Sequence, residues 1–95
     1  MNPFEQRMAE FHARFLQRAG EDAERIAAAL ADGDFATVRS LCHGLSGNAG
    51  MFGFGDLGSQ AQAVEEAIDA GEPDARLRAL AGVLLGRLAE VAQGR

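Results

Sequence analysis

Cys42-His43-Gly44-Leu45-Ser46-Gly47-Asn48-Ala49-Gly50-Met51-Phe52-Gly53 places one histidine among glycines and small side chains. The surrounding pattern is that of an amphipathic helix. Phe35, Val38, Leu41, Leu45, Ala49 and Phe52 recur at intervals of three and four, the helical period. Gly44, Gly47 and Gly50 fall inside that pattern. An interior helical glycine costs about 1 kcal/mol relative to Ala. Three of them in so short a stretch require a compensating role, and a surface that another molecule must approach closely supplies one. His43 is therefore the first candidate functional residue.

Upstream, the chain opens with helix-start chemistry. Asn2 is a capping residue, Pro3 suits the first helical position, and Glu5 stands three after Asn2 as in a capping box. Phe4, Met8, Phe11 and Phe15 form one apolar stripe, and Ala23, Ile26, Ala27 and Leu30 carry it onward. Gly20 interrupts, so residues 3–31 read either as one bent helix or as two. His12 falls beside the stripe and reads as a half-buried or surface histidine. Asp32-Gly33-Asp34 is a stop and restart: Gly33 can take the left-handed position that ends a helix, and Asp34 can cap the next.

The second major helix is predicted over residues 35–52 and ends at Gly53-Phe54-Gly55. Asp56 is the expected cap of the third, which buries Leu57, Ala61, Val64 and Ile68. Ala70-Gly71-Glu72-Pro73 is the next break. The last helix, residues 73–92, buries Leu77, Leu80, Leu84, Leu88 and Val91, with Val83 and Leu85 off the main stripe. No segment alternates with period two. The expected fold is all-α: an antiparallel up-down four-helix bundle with an N-terminal helical extension, its helices set antiparallel by short connections. Residues 1–95 read as a single domain.

Composition narrows the function. Hydrophobic residues make up 47% of the chain, enough for a folded core. The net charge of −5 argues against nucleic acid and against an anionic membrane as partners. All cationic side chains are arginines, and with abundant Ala and Gly and no Trp or Tyr this suggests a GC-rich bacterial source. The single Cys42 excludes an internal disulfide and fits a reducing cytoplasm. No apolar run approaches the roughly 20 residues of a membrane span, and the first residues carry no signal-peptide pattern. A cytoplasmic protein is expected.

On a helix the neighbours of His43 are Arg39, Ser40, Ser46 and Gly47, with Ala36 and Gly50 one turn further. Leu41 and Leu45 point about 200° away. His43 is thus predicted on a solvent-facing flank ringed by small or polar groups. A neutral imidazole there offers a nucleophilic ring nitrogen.

These residues resemble the histidine-containing phosphotransfer (HPt) domain family. Its pattern is His-x-x-Lys-Gly on a helix, a glycine about ten residues after the histidine and a leucine soon after that. Here the pattern reads His43-Gly44-Leu45-Ser46-Gly47, then Gly53, then Leu57. The resemblance covers about residues 15–92. It implies a phosphocarrier rather than an enzyme, one link of a two-component phosphorelay. His43 would accept a phosphoryl group from an aspartyl phosphate of a response-regulator receiver domain and pass it to another receiver, with a hybrid histidine kinase as a possible further partner. Arg39, Ser40, Ser46, Gly47 and Gly50 would support the phosphohistidine or the docking. No cofactor or metal is expected on this chain itself; Mg²⁺ belongs to the partner receiver. A monomer is expected.

Ser46 departs from the family pattern, standing where Lys is usual. A hydroxyl brings no charge to the incoming phosphoryl group. Arg39, one turn before His43, could replace the missing cation, or could be a solvated surface residue. Two further readings follow. One is a docking module that binds a kinase or receiver without carrying phosphate. The other is a metal or cofactor bundle using His43, His12 and Cys42, which adjacent Cys42 and His43, about 100° apart on a helix, serve poorly.

Overall fold

The computed structural model describes residues 1–94. Four α-helices follow one another: α1 (Pro3–Ala31), α2 (Phe35–Asn48), α3 (Gly55–Asp69) and α4 (Asp74–Ala92), with a short 3₁₀ turn (Ala49–Phe52) between α2 and α3. They form a ring in which α1 packs on α2 and α4, and α3 packs on α2 and α4. This is the predicted all-α bundle.

The connections explain the path. Asn2 caps α1, its side-chain oxygen accepting from the Glu5 N–H at 2.8 Å while its amide donates to the Glu5 carboxylate. Asp34 caps α2 through the Thr37 N–H at 3.1 Å and the Thr37 hydroxyl at 2.6 Å. That hydroxyl bond holds the Asp34 carboxyl below the usual carboxylate range. Gly33, Gly53 and Gly71 all take positive φ just past a helix end. Each closes the same pair of bonds, for example Asp34 N–H to the Ala29 carbonyl and Gly33 N–H to the Leu30 carbonyl. This satisfies carbonyls that a helix C-terminus otherwise leaves orphaned.

The sequence left open whether residues 3–31 form one helix or two, and α1 runs unbroken from Pro3 to Ala31. Three boundaries and faces differ from the sequence prediction. The second helix stops being α-helical at Asn48, four residues early, and tightens into the 3₁₀ turn before Gly53. Gly47, Asn48 and Gly50 are all weak helix formers, and the tighter i→i+3 pattern is common at a helix end. Asp56 does not cap α3. Phe54 occupies that position, and Asp56 sits in the first turn, where it accepts from Arg87 at 2.7 Å. Finally, of the stripe Phe4, Met8, Phe11 and Phe15, only Phe15 is buried. At about 1.5 Å per residue α1 is roughly twice as long as α2, so its first turns run past the bundle and account for the 49 Å long axis.

Ile26, Val38, Cys42, Leu57, Val64, Leu84, Leu88 and Val91 are fully enclosed and draw on all four helices. Leu84→Ala should therefore destabilise the protein by about 2–5 kcal/mol, the range for emptying a packed leucine site. Val83, its neighbour, is 59% exposed, and Val83→Ala should change stability by less than about 0.5 kcal/mol. Urea denaturation of the two variants measures the contrast, and equal losses would place the core elsewhere on α4.

Candidate functional site

α2 carries Val38, Cys42 and Leu45 inward, and this register turns His43 outward. Its side chain is 73% exposed. The ring is nonetheless held. Nδ1 lies 2.8 Å from Oε2 of Glu65 on α3. An ionised carboxylate only accepts, so Nδ1 carries the hydrogen and the lone pair resides on Nε2. The bond fixes both the tautomer and the direction of the ring. Glu65 itself is buried in the α2–α3 seam, its side chain 12% exposed.

Arg39 joins the same cluster from one turn before His43. Its guanidinium donates to both carboxylate oxygens of Asp69, at 2.6 and 3.0 Å. It also lies 3.5 Å from the Glu65 oxygen that meets His43. The Asp69 hydrogen bond raises the Arg39 pKa, and the same bond holds the Asp69 carboxyl low. Arg39 is thus partly exposed but committed: it bridges α2 to α3 and lies beside the Glu65 oxygen that meets His43.

Ser46 lies beside His43, but its hydroxyl donates to the His43 backbone carbonyl at 2.9 Å, a common way for a helical serine to satisfy itself. Gly44, Gly47 and Gly50 face open space, and a Cβ built on any of them meets nothing within 4 Å. They are not required for helix packing; they leave the surface beside His43 low. Ser40 and Gly44 line a groove against α1 on the opposite flank from Glu65. Gly50 lies beyond the end of α2, in the 3₁₀ turn. The predicted site residues therefore divide. Arg39 and His43 meet at Glu65, Ser40 and Gly47 belong to the floor between the flanks, and Ser46 and Gly50 point to neither.

His12 is exposed on α1 and stacks on Phe54 with ring centroids 5.9 Å apart. Cys42 is fully enclosed, and burial pushes its thiol pKa up to about 12. His43, His12 and Cys42 are thus not convergent. Among the described residues, no three His, Cys, Asp or Glu side chains cluster as a metal-binding set.

Glu65 is the residue that sequence reading missed. Its signal was present: Ala61, Val64 and Ile68 mark the buried arc of α3, and Glu65 lies in that arc, four after Ala61 and three before Ile68. A carboxylate in a core-facing register is rarely left without a partner.

No helix among the described residues is long and apolar enough to cross a membrane. A family model described as the Hpt domain matches residues 10–94. No curated protein and no solved structure matches the chain.

Proposed function

This chain belongs to the Hpt domain family, the phosphotransfer modules of two-component systems, and on that premise we propose that it is a phosphorelay intermediate with His43 as its phosphoacceptor. One observation carries the proposal: an exposed imidazole whose Nδ1 is bound by a buried carboxylate, so that Nε2 is the nucleophile. The donor is the aspartyl phosphate of a receiver domain, and the acceptor is the aspartate of a second receiver. Nε2 attacks phosphorus in line, the P–O bond of the acyl phosphate breaks, and the aspartate leaves as a carboxylate. The ring, still protonated at Nδ1, becomes cationic, and Glu65 faces that charge across 2.8 Å. Positioning and electrostatics are what phosphoryl transfer chiefly needs from a protein. Charge neutralisation of the phosphoryl oxygens falls to the partner receiver and its Mg²⁺.

A second reading, a docking module that carries no phosphate, has one observation in its favour. Ser46 is turned to its own backbone and Arg39 is engaged by Asp69, so neither sets a dedicated cation against the phosphoryl group. Incubation with each phosphorylated receiver of the source organism separates the two. The relay reading expects an acid-labile, base-stable label that then moves to a second receiver. Binding without label favours the docking module.

Ser46→Lys tests the missing charge directly. An ammonium one turn from His43 should lengthen the phosphohistidine lifetime, by up to about fivefold for a surface charge pair. The decay of labelled protein measures it, and an unchanged or shorter lifetime would show that charge at this position is not limiting.

A further inference from the structure

Arg39 stands one turn before His43 on the same face of α2, yet its charge is committed elsewhere. Both oxygens of Asp69 hold it, at 2.6 and 3.0 Å, in the two-pronged geometry that orients a guanidinium most firmly. The guanidinium also lies 3.5 Å from the Glu65 oxygen that meets Nδ1. That places it on the Nδ1 side of the ring, across from Nε2.

Asp69 is in turn an unusual residue for its position. It is the last residue of α3, and the last turn of that helix holds no basic side chain. The unpaired carbonyls of a helix C-terminus carry partial negative charge, so helix stability alone favours a cation or a neutral residue there. The Asp69 carboxylate is balanced instead from another helix, by Arg39.

We propose that Asp69 is a tether that keeps Arg39 off the phosphoryl group and so holds phosphohistidine labile. The inference rests on the reading of His43 as phosphoacceptor. Once Nε2 carries phosphorus, three anionic oxygens stand one helical turn from a guanidinium whose fork fits them. In hydrolysis the Nε2–P bond breaks and its electron pair returns to Nε2. Water supplies an oxygen and both hydrogens to the dihydrogen phosphate that leaves, and Nδ1 keeps its hydrogen. The transition state of such a transfer is loose, so the terminal oxygens give up negative charge to the departing nitrogen. A cation seated on those oxygens therefore stabilises intact phosphohistidine more than the transition state. An untethered Arg39 would reach them and prolong the modification. The tethered one leaves the group ready to move on, as a relay intermediate requires. The Arg39 and Asp69 side chains are 43% and 50% exposed, so charge contacts here are screened, and the expected effect is about two- to fivefold.

The test labels the full chain with phosphoramidate, a small donor that needs no partner protein, and follows the loss of label from His43. Asp69→Ala should lengthen the lifetime by about two- to fivefold, and added salt should shrink the gain. Arg39→Gln should stay within about twofold of wild type, because Arg39 does not touch the phosphoryl group while it is tethered. The double variant R39Q/D69A should match R39Q, since Asp69 acts only through Arg39. Asp69→Glu, whose carboxylate can regain the guanidinium, should return the lifetime toward wild type. A lifetime unchanged in D69A would overturn the tether, whatever happened to stability. A gain from D69A that persists in the R39Q background would also overturn it, and would show Asp69 acting by its own charge. Receiver-driven labelling with equal lifetimes in wild type and D69A overturns the tether and leaves the relay reading standing. The expected set of lifetimes in a chain that no receiver labels overturns the relay reading and leaves the tether standing. Label from phosphoramidate on a residue other than His43 overturns both.

Discussion

His43→Ala is expected to abolish phosphoryl transfer to this protein while leaving its fold intact. The loss should be complete within detection, because the reaction needs a nitrogen nucleophile and His12, the second histidine, stands on a different helix against Phe54. The fold should survive because the side chain is largely outside the core, and surface replacements away from caps and packed sites usually move stability by less than about 0.5 kcal/mol. Glu65 would lose a hydrogen-bond donor, but Arg39 remains 3.5 Å from the same oxygen, so the buried carboxylate keeps a partner. Labelling by a phosphorylated receiver, followed over time alongside circular dichroism of the variant, checks both halves. Persistent label on the folded variant would remove His43 from the reaction.

The second large effect is expected at Glu65. In Glu65→Ala the ring loses the acceptor that fixes its tautomer and the charge that faces the cationic product. Either loss slows transfer, and together they should lower the rate by about 10²-fold, the scale on which groups that orient or stabilise a reacting imidazole act. Glu65→Gln keeps a hydrogen-bond acceptor but not the charge, so it should fall between, at roughly a tenfold loss. A merely structural role would show as lost stability with equal effects on every readout. A positioning role makes a narrower forecast: without Glu65 either ring nitrogen can hold the proton, so some phosphate should appear on Nδ1. A Glu65→Ala protein that transfers at the wild-type rate, still only through Nε2, would show that the 2.8 Å contact does not orient the ring.

Much of this was legible in the chain because helix periodicity and capping are local. Leu57, Ala61 and Val64, and Leu77, Leu84, Leu88 and Val91, all lie on faces that their spacing marked out. Gly33 ends its helix in the left-handed conformation its position suggested. The exposed placement of His43 followed from the same register. The pairings between helices were not legible. Nothing local says that Glu65 meets His43, or that Arg39 is taken by Asp69, since these bonds join positions 22 and 30 residues apart. The exposure of Phe4, Met8 and Phe11 was hidden for a related reason: an apolar stripe shows which face a helix would bury, but not whether a neighbour reaches that far. The short 3₁₀ turn after Asn48 escaped because a continuous apolar pattern, Leu45, Ala49 and Phe52, masks a change of helical pitch over one turn.

The central claim is that His43 reacts through Nε2 because Glu65 holds Nδ1. The most direct measurement is nitrogen–phosphorus correlation by NMR on ¹⁵N-labelled protein phosphorylated by a receiver. The structure predicts a single phosphorus bonded to Nε2 of His43, with Nδ1 still protonated beside Glu65. Phosphorus on Nδ1 of the wild-type protein, or on any residue other than His43, would contradict it.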